Sequence, residues 1–144
     1  MTDTISTDSL IRRILRTGSL ASFMEKNEQH MLSDDFCTIL KETCARKNLV
    51  PERVILKAQI DRTYGHQLFN GTRRPSRDKV LQLSIGMRLN MEETQRLLRA
   101  AGKSDLYPRL KRDAVIIYCL KNGLDMIRTN EALSAYHLSL LGES

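Results

Sequence analysis

With 144 residues, 41% of them hydrophobic and 28% charged, the chain is long enough for one compact domain or a small domain with helical extensions, and too short for two large domains. This composition belongs to a folded protein and excludes wholesale disorder. The formal net charge of +6 is unevenly spread: residues 1–50 balance seven basic against seven acidic side chains, residues 51–112 carry fourteen against six, and residues 113–144 carry two against four. A positive middle suits a polyanion, because lysine and arginine displace counterions from phosphates, although a merely solvated basic face has the same composition.

The longest apolar run, residues 114–120, has seven residues, far short of a membrane span. The amino terminus carries no basic stretch leading into a secretory apolar segment, so a cytoplasmic protein without membrane association is expected. Cys37, Cys44 and Cys119 form no CxxC pair and are odd in number. That argues against a zinc site and a complete disulfide framework, and buried, reduced thiols are expected. His30, His66 and His137 are scattered, so neither a metal nor another cofactor is expected.

The spacing of apolar residues reads as helical throughout, without internal repeats. Asp8 can cap a short helix carrying Leu10, Ile11, Ile14 and Leu15 and ended by Gly18; Leu20, Phe23 and Met24 mark another short piece before polar residues 25–30. Ser33 is the expected cap of a helix over residues 34 to about 47, with Phe36, Ile39, Leu40 and Cys44 on its apolar side. Pro51 suits the first position of a segment reaching about residue 58, and a second short helix over 62–69 stops at Asn70 and Gly71. After the basic loop 72–75, Ser76 can cap a helix to about residue 87, and Asn90 with Glu93 forms a capping-box pattern for the next, toward Gly102. Residues 108–121 and 125 to about 141 complete the helices.

Val115, Ile116 and Ile117 would also fit a buried strand. A helix is preferred because no second strand is available to satisfy its backbone groups. Being apolar on nearly all sides, that helix needs cover from the amino-terminal extension or from another subunit.

Two short helices joined by a tight turn, with one helix before and two after, match the arrangement in which the second short helix enters the DNA major groove. Residues 36–102 resemble the helix-turn-helix domain of the lambda-repressor-like, xenobiotic-response-element class. The resemblance is carried by Pro51-Glu52-Arg53-Val54-Ile55-Leu56-Lys57-Ala58-Gln59-Ile60, then Asp61-Arg62-Thr63-Tyr64-Gly65-His66-Gln67-Leu68-Phe69-Asn70-Gly71, then Arg73-Arg74-Pro75-Ser76. It implies an all-α fold with a five-helix helix-turn-helix core at 33–103, a helical extension at 1–32, and a helical pair at 104–144 that serves dimerisation or completes the core.

The resemblance also implies a recognition helix at 62–69, making Arg62, Thr63, Tyr64, His66 and Gln67 the candidates for base contacts. Arginine can grip guanine O6 and N7, glutamine adenine N6 and N7, and threonine a thymine methyl. Tyr64 fits a half-buried core position equally well, and His66 a solvated one. Arg73, Arg74, Arg77 and Lys79 are the candidate phosphate contacts, which position without reading sequence. Three features depart from the family: Glu52 replaces a phosphate-binding glutamine, Gln59 replaces the glycine of the turn, and Ile55 with Gly65 inverts the usual small and bulky pair. If Ile55 and Gly65 face each other, total volume is kept.

The expected function is a DNA-binding transcriptional regulator acting on double-stranded DNA as a homodimer. Ile116, Ile117, Leu120 and Leu133 are its candidate interface residues unless they form an intramolecular core. The alternative is a protein-interaction adaptor, suggested by the acidic Glu52 and Asp61 and using the terminal helices. No nucleophile elbow, phosphate loop or helical zinc-protease motif appears, so an enzyme is not expected.

Overall fold

The structure is a computed structural model that describes residues 5–28 and 35–142. Among the described residues the chain is all-helical, with nine α-helices and no strand, and no helix is long and apolar enough to cross a membrane. Backbone contacts divide it into two compact units, Met1–Ser33 and Asp34–Ser144.

The first unit holds α1 (Thr7–Arg16) and α2 (Leu20–Asn27). Ser6, rather than Asp8, caps α1 by accepting from the Ser9 amide; Asp8 lies in the first turn, where its charge complements the helix dipole. Arg13 Nη1 donates to Asn27 Oδ1 at 2.6 Å, and Phe23 and Asn27 are the buried residues of α2. Ile11, Ile14 and Leu15 are exposed.

The second unit holds α3 (Phe36–Arg46), α4 (Pro51–Lys57), α5 (Arg62–Asn70), α6 (Arg77–Gly86), α7 (Met91–Ala100), α8 (Lys111–Lys121) and α9 (Met126–Ala135). The expected cap Ser33 lies outside the described residues; Asp35 caps α3 by accepting from the Thr38 amide. Asn90 and Glu93 close the capping box on α7, Ser76 caps α6 and Asp125 caps α9.

At the centre is α6, buried at every position from Val80 to Gly86 and packed against α4, α7 and α9. Its buried Gln82 donates to the Ala58 carbonyl at 3.0 Å, satisfying a carbonyl at the end of α4, and accepts from Lys79 Nζ at 3.1 Å. Leu40, Leu68, Leu97, Leu98, Ile116 and Leu133 fill the core between the helices. Cys44 and Cys119 are buried free thiols, pushed above the ordinary thiol pKa mainly by burial, whereas Cys37 is half-buried and donates to Asp35.

Two expected helices are shorter than their apolar patterns. Helix α8 begins at Lys111 rather than residue 108, after a turn through Pro108 and Arg109. Helix α9 stops at Ala135 rather than near residue 141, because His137 takes a left-handed conformation (φ 58°) and the Leu138 amide folds back to the Leu133 carbonyl at 2.9 Å. The chain then returns along α9, with Asn130 bonded to both the amide and the carbonyl of buried Leu141.

Residues 114–120 are helical, and within the second unit α8 packs against α7 and α9. Ile116, Leu120 and Leu133 belong to that intrachain core, and Ile117 is partly buried against it. For Ile116, Leu120 and Leu133 this is the intramolecular core that the sequence left open beside a dimer interface.

Ile55 and Gly65 do face each other. A Cβ added at Gly65 would lie 2.5 to 2.9 Å from three side-chain carbons of Ile55, closer than any packed methyl tolerates. Gly65→Ala is therefore expected to destabilise the fold by about 1–3 kcal/mol through overpacking, seen as a lower melting temperature. The double variant Gly65→Ala with Ile55→Ala should lose less stability than the two single losses combined; full additivity would contradict the contact.

Candidate nucleic-acid interface

Helices α4 and α5 meet through a turn in which Gln59 takes the left-handed conformation (φ 55°), a backbone state that glycine adopts most readily. The turn closes with the Ile60 amide donating to the Ile55 carbonyl at 3.2 Å. Asp61 then caps α5 by accepting from the Tyr64 amide at 3.1 Å, so its charge is occupied in starting the helix. Gly65, Leu68 and Phe69 form the buried side of α5, and Arg62 and Thr63 are exposed at its start. Its other end is set by Gly71 at φ 83°, while Asn70 Oδ1 accepts from the Thr72 amide and hydroxyl.

The predicted site residues fall into three groups. At the start of α5, Arg62 Nε donates to Glu52 Oε1 at 2.6 Å and His66 Nε2 lies 2.5 Å from Glu52 Oε2. Hydrogen bonds from Arg62 and then His66 hold the Glu52 carboxyl below the usual carboxylate range. Glu52, whose acidic side chain suggested an adaptor from sequence, stands between two partners from the neighbouring helix.

In the first turn of α5, Tyr64 is half-buried against the core and its ring is covered by the Arg73 guanidinium, 4.1 Å from the ring centroid, with Lys79 Nζ 5.6 Å away. Arg73 also reaches Gln67 Oε1 at 3.4 Å. Arg74 is exposed. Tyr64, Gln67, Arg73 and Lys79 thus share one cationic surface.

Arg77 forms the third group and differs from its expected role. It donates to both carboxylate oxygens of Asp113, at 3.0 and 2.9 Å, and to the carbonyls of Ser104 and Asp105. A guanidinium so committed is not available to a phosphate, and Arg77 joins α6 to α8. Beside it Arg112 donates to Asp78 at 2.8 and 2.9 Å and to the carbonyls of Ser139 and Leu140. Adjacent Arg77 and Asp78 therefore meet adjacent Arg112 and Asp113 with opposite signs in register.

The sequence reading missed three residues that position this surface: Glu52 as a partner of α5, Gln82 as the buried clamp on the α4–α5 turn, and Asp113 as the acceptor of Arg77. Only the four-residue spacing of Arg62 and His66, which places them on one helix face, gave a local signal. Among the described residues no three His, Cys, Asp or Glu side chains converge as metal ligands. No protein-family model, curated protein or solved structure matches this chain.

Burial opposes ionisation of Asp113, but the Arg77 hydrogen bonds, the Tyr107 amide and the charges of Arg77 and Arg112 outweigh it, leaving the carboxyl below its ordinary value of 3.8. A depressed folded-state pKa contributes stability that is complete above the unfolded value and is lost as pH falls through the folded one. Asp113→Asn is expected to cost on the order of 3 kcal/mol at neutral pH by leaving Arg77 without its counter-charge. The gap between wild-type and variant urea midpoints should narrow below about pH 4; a gap that stays constant through the acid range would contradict this role.

Proposed function

We propose that the chain is a sequence-specific DNA-binding transcriptional regulator whose helices α3 to α7 form a five-helix, lambda-repressor-like core and whose α5 enters the major groove. One observation carries the reading: α5 buries Gly65, Leu68 and Phe69 and turns outward a polar side with Arg62 at its start and Arg73 and Arg74 just past its end. A helix with base-reading side chains between flanking cations suits a groove bounded by phosphates. The +8 net charge of residues 51–112 supports the same partner.

In this reading Arg62, Thr63, His66 and Gln67 face base edges, Tyr64 supports Arg73, and Arg73, Arg74 and Lys79 face the backbone. The regulator acts in the cytoplasm as a homodimer, because paired modules gain affinity on a two-fold site with half-sites one helical turn apart. The second reading, a protein-interaction adaptor, is favoured by Glu52, which places a negative charge against α5.

Mobility shift with duplexes selected from a randomised pool separates the two. Wild-type protein should shift its selected duplex in a salt-dependent manner, and Arg62→Ala with Gln67→Ala should weaken that complex by about 1–3 kcal/mol per lost bidentate contact while leaving the helical circular dichroism intact. Normal binding by the double variant would reject α5 as the reading helix. A wild-type chain that shifts no duplex but holds a stable protein partner would favour the adaptor.

A further inference from the structure

We propose that Glu52 is a positioning residue that sets the base preference of α5, an inference that rests on the DNA-reading role proposed above. Its two carboxylate oxygens are divided between two side chains of the facing helix, Oε1 accepting from Arg62 Nε at 2.6 Å and Oε2 lying 2.5 Å from His66 Nε2. Arg62 and His66 stand one turn apart on α5, so one carboxylate from α4 fixes both. The close approach has a structural cause: Ile55, one turn after Glu52, lies against bare Gly65, which stands between Arg62 and His66 in the sequence.

The value of the arrangement is directional. Side chains as exposed as these, Arg62 at 77% and Glu52 at 49%, gain little stability from pairing. Arginine, however, carries five N–H donors in one rigid plane. With Nε–H turned to Glu52, the plane of the guanidinium is set and the edge formed by its two Nη atoms is left for a base. That edge matches the O6 and N7 acceptors of guanine in the major groove.

For His66 the same carboxylate chooses the tautomer. An ionised carboxylate only accepts, so Nε2 carries the proton, and of the two neutral tautomers the one so selected has Nδ1 as its acceptor. His66 is thereby suited to a base with an exocyclic amine, adenine or cytosine. Glu52 acts through both side chains and needs no contact with DNA itself.

The test is selection of bound duplexes from a randomised pool by the full chain and by Glu52→Ala, Glu52→Gln and Arg62→Ala. Wild type is expected to enrich guanine at one position of each half-site, and Arg62→Ala to lose that enrichment. In both Glu52 variants the discrimination of guanine over adenine at that position should fall about tenfold, within the range of one bidentate contact. Folded Glu52 variants with wild-type discrimination would overturn the proposal. Nitrogen-15 shifts of His66 in the DNA-free wild-type chain give a second readout that needs no variant. A proton on Nε2 is expected, and one on Nδ1 overturns the proposal. A wild-type chain that selects no sequence overturns the DNA-reading role together with this inference, whereas selection shared unchanged by the Glu52 variants overturns this inference alone.

Discussion

Ile55 rests on the bare backbone of Gly65, and this one contact sets how closely α4 and α5 cross. Much of the candidate surface follows from it. Glu52 precedes Ile55 by one turn, and Arg62 and His66 flank Gly65, so bringing the two helices together also brings the carboxylate within hydrogen-bond distance of both α5 side chains. With ordinary side chains at both positions the helices would stand further apart. From the opposite side, Gln82 anchors the turn between them through the Ala58 carbonyl. The α4–α5 pair is thus held by one apolar close approach and one buried amide, which leaves the outer face of α5 without a structural task.

The all-helical architecture was legible from sequence because its signals are local. A capping box such as Asn90 with Glu93 is written within four residues, and Asn70 with Gly71 marks a helix end in two. The facing of Ile55 and Gly65 was also within reach, since a large side chain and a missing one compensate in volume. Boundaries failed where a non-local contact competed with the apolar pattern. Leu138, Leu140 and Leu141 continue the apolar character of α9, yet the chain turns at His137 because Asn130 and the core receive Leu141 on a returning strand of backbone.

Side-chain partners across long loops were not legible at all. Arg77 sits in a basic stretch with Arg73, Arg74 and Lys79 and is indistinguishable from them by composition. Only the folded chain separates the cation bound into a buried pair with Asp113 from the cations left at the surface. Similarly, Glu52 in isolation is a negative charge near a proposed phosphate path, and only its distance to Arg62 and His66 gives it another meaning.

The crossed pairing of Arg77 and Asp78 with Asp113 and Arg112 also bears on the order in which this unit takes shape. The paired residues are 36 and 34 positions apart in the chain, so the first turn of α6 precedes its charge partners during synthesis, which runs from the amino terminus. Closing so long a loop carries an entropic cost that local helix formation does not. The hub helix α6 can therefore pack against α4 and α7 before its own amino-terminal turn meets the charge partners that α8 brings.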